Sequence, residues 1–219
     1  IKRLTEIAFD FIVDLIFPSF VGSLEWMLWK NISFLTMLIF TFFFVMKTEK
    51  LSLRETLKSL GIRVSGIKSS LISAFVIIFL MTLPSLIFPL PQYPKRWWEE
   101  GPLWYTYAWI LLFIFLTVPT EEIAYRGYVL GRMIPGRSSF KIFLIPVGLI
   151  LSSFLHALWH VSHFMDFEFY LITIILGIIE GIVFLKTRNI LGPVIIHAYT
   201  NIYPYSIFWL GPLLQVLGF

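Results

Sequence analysis

The chain has 219 residues, of which 58% are hydrophobic and only 14% charged, with 23 Phe and 8 Trp. A soluble domain of this length cannot hide that much apolar surface, so lipid is the expected solvent. Basic residues exceed acidic ones by 17 to 13, which in a membrane protein bears on orientation and not on nucleic acid, and the lack of cysteine excludes disulfides, thiolate metal sites and a cysteine nucleophile.

A spanning helix needs about 20 mostly apolar residues. By that measure the chain is expected to be all-α, a polytopic integral membrane protein with about seven or eight transmembrane helices in one domain over 1–219. The opening IKRLTEIAFDF carries acids and no small-residue cleavage site, so it does not read as a signal peptide. The first span, 7–29, is interrupted by Asp10, Asp14 and Pro18 and lies partly in the interface; 31–47 follows. The polar segment 47–70 reads as a cytoplasmic amphipathic connection, with a short surface helix ending at Gly61. Further spans are expected at 69–90, 102–131, 143–163, 168–186 and 190–204. The tail 205–219 either continues the last helix past a bend at Pro204 or forms a second short one.

Lys and Arg alternate along these connections. Lys2 and Arg3 precede the first span, six cations from Lys47 to Lys68 lie in the long connection, and Arg132, Arg137, Lys141, Lys186 and Arg188 flank later turns. The intervening turns are poorer or carry offsetting acids, such as Glu99 and Glu100 beside Lys95 and Arg96. The basic set and the N-terminus are therefore expected in the cytoplasm.

An ionisable side chain inside a span is expensive, roughly 2.5–3.5 kcal/mol or more, and so marks a candidate site. Glu121 and Glu122 sit deep in the 102–131 span. Glu122 and Arg126 are four apart and face each other, acid before base, whereas Glu121 points about 100° away and shares a face with Tyr125. Glu122 is thus expected to be neutralised by Arg126, with Glu121 left to meet another helix. In SSFLHALWHVSHF, His156, His160 and His163 share one stripe, one turn after Ser152 and Ser153. In IIHAYTNIY, His197 and Asn201 again stand four apart. Between these sets, Gly177 and Gly181 form a close-packing G-x-x-x-G face, and Glu180 reads as a buried partner for a cation.

Depth arithmetic asks whether the three polar sets can meet. Glu121 lies 11 residues from Arg132, about 16 Å, and His197 nine residues from Arg188, about 13 Å. His160 is about 28 Å from Lys141, or about 21 Å if its helix begins with Pro146 as the first residue. A glutamate among imidazoles and an amide, without a nucleophile elbow around Ser152 or Ser153, points to water activation: the carboxylate takes a proton while imidazole and amide stabilise an oxyanion.

These residues resemble a known family. EEIAYRG is similar to the E-E-x-x-x-R signature of the CAAX-protease and bacteriocin-processing family of intramembrane proteases, which includes the type II CAAX prenyl endopeptidase, or Ras-converting enzyme. The family's second motif, an aromatic residue followed four positions later by His, is matched by His160, with His156 at the aromatic position; HAYTN matches the third motif with His197 and Asn201. The resemblance covers about 105–203 and makes those helices catalytic. It implies an endopeptidase that removes the last three residues after a prenylated cysteine. Glu121 would activate water, assisted by Glu122 and Arg126; His160 would hold that water; His197 and Asn201 would form the oxyanion site. Tyr125, His156 and Trp159 would line the substrate pocket. No cofactor is required on this reading. Zinc stands as an alternative, held by Glu121, His156, His160 and His197, although the HExxH order is absent because Ala157 follows His156. The expected partners are a prenylated CAAX-type protein or peptide and membrane lipid, not nucleic acid. The competing readings are a transporter or proton relay using the same Glu/His cluster, and a non-catalytic scaffold or immunity protein.

Overall fold

The computed structural model describes residues 24–83, 110–133, 141–142, 145–159 and 167–202. Among these, the regular structure is helical apart from an antiparallel ladder of two residues a side that pairs Lys141 with Pro146 and Ile142 with Ile145. Expectations for 7–23, 84–90, 102–109, 160–163 and 203–219 lie outside the described residues.

Helix α1, Leu24–Glu49, has neither proline nor glycine and ends where Lys50 takes a left-handed φ of 54°. It corrects the expected division at Lys30: lysine is a good helix former, and no proline or glycine stands nearby to stop the helix. Helix α2, Leu53–Ser59, starts at a capping box in which Ser52 Oγ accepts from Glu55 N and Ser52 N donates to Glu55 Oε2 at 2.9 Å. It stops before Gly61, whose φ of +85° a side chain would strain. Helix α3 follows at Ile67–Thr82.

Helix α4 runs through 110–133. It is α-helical over Val118–Glu122 but π-helical over Phe113–Thr117 and Ile123–Leu130. Pro119 explains the first departure: it has no N–H for the Phe115 carbonyl and its ring would collide with that carbonyl in a regular α-helix. The turn widens instead, and Val118 N–H bonds Phe113 O, five residues back. Helix α5, Val147–Trp159, begins one residue after Pro146, which pairs in the ladder and does not open the helix as its first residue. Helices α6, Phe167–Thr187, and α7, Leu191–Ile202, complete the described fold.

Two devices set the packing. The Gly177/Gly181 face of α6 lies against α5 and α4: a Cβ on Gly177 would come 2.9 Å from Ser153 Cβ, and one on Gly181 would collide with Leu149. The turn between α6 and α7 is fastened to the loop between α2 and α3. Asn189 Nδ2 donates to Arg63 O at 2.6 Å and Ser65 O at 3.2 Å, Ile190 N donates to Gly61 O at 3.0 Å, and Gly192 N donates to Ser70 Oγ at 2.7 Å. These bonds fix where α7 begins relative to α3, and hence where His197 stands.

The apolar core forms two clusters, one around Val45, Leu130, Leu149 and Phe184 and one around Ala74, Leu176, Val183 and Ile196. Large side chains also face outward, including Phe40, Phe75 and Phe115 at 66%, 73% and 75% exposure. Outward phenylalanines on α1, α3 and α4 suit a hydrocarbon solvent. Asn31–Glu49 and Tyr170–Thr187 are long and apolar enough to cross a membrane, while Ile67–Thr82 and Val147–Leu158 are shorter apolar helices.

Candidate active site

Four helices bring their polar side chains to one buried place. From α4 come Glu121, Glu122 and Arg126, from α5 His156, from α6 Glu180 and from α7 His197; each is at most 4% exposed. The i,i+4 geometry delivers the first link: Arg126 Nη1 donates to Glu122 Oε1 at 2.8 Å. Arg126 Nη2 reaches across to Glu180 Oε2 and also lies 3.2 Å from His156 Nδ1. Glu180 is thus the cation's partner anticipated from sequence, and the cation is Arg126.

Glu122 has a second task. His197 Nδ1 stands 2.8 Å from the same Oε1 that receives Arg126. An ionised carboxylate only accepts, so Nδ1 carries the proton and donates, which aims Nε2 away from Glu122. That Nε2 lies 3.6 Å from Glu121 Oε2, and His156 Nε2 lies 3.6 Å from the same oxygen. The two imidazole rings meet edge to face with centroids 5.1 Å apart, and the Tyr125 ring flanks His156 at 5.1 Å. Glu121 therefore faces the imidazoles of two other helices, while Glu122 is held in an ion-pair network.

The backbone of α4 helps. Tyr125 lies in the second π-helical stretch, and Ser152 Oγ donates to its carbonyl at 2.8 Å, fastening α5 to that stretch. Ser153 Oγ donates to Leu149 O at 2.8 Å. Both hydroxyls point at carbonyl oxygens, as structural donors do. Gly127, next to Arg126, admits the α2–α3 connection: a Cβ there would come 2.6 Å from Leu60 O.

On α5, the imidazole that meets Glu121 among the described residues is His156, nine residues after the helix begins at Val147, or about 14 Å. That depth agrees with the values for Glu121 and His197. His160 lies outside the described residues, as does the side chain of Trp159, whose backbone ends α5. Asn201 lies half-buried on α7, one turn beyond His197. Sequence spacing did not reveal that Glu180 and His156 both converge on Arg126. Three buried carboxylates beside one guanidinium were the available signal, but only inter-helix packing assigns the partners.

Two sets of side chains have the spacing to ligate a metal, Glu121 with His156 and His197, and Glu122 with Glu180 and His197, the ligand atoms of each set lying within 4.8 Å of one another. In the second set both carboxylates already hold Arg126. In the first, a water oxygen standing off the plane of the three atoms can reach them all at hydrogen-bond length. A carboxylate, a carboxylate-oriented imidazole and a second imidazole form a set able to hold water, accept its proton and donate to developing negative charge.

Comparison with known proteins agrees with this chemistry. The family described as Type II CAAX prenyl endopeptidase Rce1-like matches residues 102–203, the stretch that carries every side chain of the cluster. No curated protein and no solved structure matches the chain. Over residues 102–203, just under half of its length, the chain is similar to this Rce1-like family of membrane-embedded proteins, a match that supports a protease.

Proposed function

We propose that the protein is a multi-pass intramembrane endopeptidase that hydrolyses the peptide bond after the prenylated cysteine of a CAAX tail and releases the three residues that follow it. The observation that carries this reading is the convergence of Glu121 with the imidazoles of His156 and His197 in a buried site, on helices inside the family match. Glu121 takes a proton from a water molecule as the water oxygen attacks the scissile carbonyl. His160 holds the same water. His197, oriented by Glu122, and Asn201 donate to the oxyanion. With both of its ring nitrogens donating, His197 is a cation balanced by Glu122, which Arg126 in turn steadies. Collapse of the tetrahedral intermediate breaks the C–N bond. The proton taken by Glu121 passes to the leaving amine, giving a prenylcysteine carboxylate and a free tripeptide.

The reaction on this reading needs no cofactor. The basic connections, including 47–70, face the cytoplasm, so a prenylated tail arrives from that side and its lipid enters laterally between helices, past Tyr125 and Trp159. The test is incubation of the purified full chain with a farnesylated CAAX peptide and mass spectrometry for the tripeptide. Release that stops in Glu121→Ala supports the proposal. A folded protein that releases no tripeptide from a panel of farnesylated and geranylgeranylated peptides overturns it.

A further inference from the structure

In this chain the family's aromatic position is filled by His156, a residue that can hydrogen-bond on two sides. Its Nδ1 lies 3.2 Å from Arg126 Nη2 and its Nε2 lies 3.6 Å from Glu121 Oε2. Arginine has five N–H donors, no acceptor, and does not lose its proton. A nitrogen facing it at hydrogen-bond distance must present a lone pair. A neutral imidazole then carries its one proton on the other nitrogen, the one directed at Glu121. The ring cannot readily turn out of this arrangement, since it is 3% exposed and lies between the rings of Tyr125 and His197.

We propose that Arg126 holds His156 as the Nε2–H tautomer, making it a positioning residue that aims a donor at the Glu121 carboxylate and is unable to serve as a metal ligand. The role assigned to Glu121 rests on the endopeptidase reading; the tautomer does not. Binding zinc through Nε2 would need the lone pair there and would move the proton to Nδ1, setting N–H against N–H in a buried site. Metal-bound histidines do the reverse and donate their second N–H to an acceptor. His197 has that ordinary arrangement, with Nδ1 on Glu122, which sharpens the contrast. Of the set Glu121, His156 and His197, one imidazole is in the wrong protonation form for a metal.

The experiment is nitrogen NMR on the full chain labelled with 15N-histidine in lipid nanodiscs, with the His156 signals assigned by their loss in His156→Gln. The expected pattern is an unprotonated Nδ1 and a protonated Nε2, unchanged on adding zinc ions. A proton on Nδ1, or a zinc-dependent shift of Nε2, overturns the proposal. Because the tautomer is read in the resting protein, this result stands apart from whether CAAX peptides are cleaved. If they are, His156→Phe lowers kcat roughly tenfold to a hundredfold with little change in KM, the loss of one hydrogen bond to a charged group. His156→Gln, which keeps a donor near the Nε2 position, recovers most of that loss. Phe and Gln variants of equal activity would also overturn the proposal.

Discussion

Adjacent glutamates that look alike in sequence should separate cleanly when each is truncated to alanine. Glu122 is fully buried, and its Oε1 receives Arg126 Nη1 and His197 Nδ1, both at 2.8 Å. Hydrogen bonds to charged groups contribute about 1.5–3 kcal/mol each, and breaking a buried ion pair destabilises by about 3–5 kcal/mol. Glu180 keeps its hold on Arg126 after the truncation, so the lower part of that range applies, about 3–4 kcal/mol. Glu121 is nearly as buried, at 2% exposure, and stands 3.6 Å from each of two imidazoles, whereas the Arg126 guanidinium is paired with Glu122. The cavity left by truncation is common to both variants, so the difference between them reports the bonds. For a chain of this size that difference is at most about 10 °C in Tm. Thermal unfolding of both variants in one detergent, beside the peptide-cleavage assay, measures it. Glu121→Ala should release no tripeptide and should melt above Glu122→Ala, which loses the Arg126 ion pair as well. Equal losses of Tm would refute the division of labour and show that the two acids act as one unit.

A cysteine placed at Val64, which is 86% exposed in the basic connection, should label in intact cells only with a membrane-permeant reagent; ready labelling by an impermeant one would reverse the orientation. Gly127→Ala would place a Cβ 2.6 Å from the backbone oxygen of Leu60, an overlap that should cost about 1–3 kcal/mol and appear as a lower Tm. The Ser52 hydroxyl, then the Ser52 backbone N–H, hold the Glu55 carboxyl below its ordinary value of 4.5. A depressed carboxyl stabilises the folded helix above that ordinary value, and the contribution is lost as pH falls through the folded-state value. Hydrogen exchange over α2 should therefore show protection that fades as pH falls below the ordinary 4.5 in the wild type and is already lower in Ser52→Ala at pH 7. The same exchange profile in both proteins would remove the capping box from the account.

Several features were legible in the residues alone. Composition pointed to lipid as the solvent, and the outward phenylalanines and the two helices long and apolar enough to cross a membrane are in line with it. Local periodicity paired Glu122 with Arg126 and put Gly177 and Gly181 on one face, since neighbours three and four apart on a helix meet whatever surrounds it. The ionisable residues inside apolar spans stood out by the cost of placing them there. The π-helical turns of α4 were not legible, although Pro119 supplies a cause for the first. Nor did periodicity show that α1 runs unbroken past Lys30, since a lone lysine in an apolar run does not by itself stop a helix. The partners across helices belonged to the tertiary structure. His156 meets both Arg126 and Glu121 because α5 starts at Val147 and Ser152 fastens it to the Tyr125 carbonyl. His197 reaches Glu122 because Asn189 and Ser70 fix the start of α7. Spacing within a helix determines which side chains share a face; the axial offset between helices determines which faces meet at one depth, and that offset is set by contacts more than a hundred residues apart in the chain.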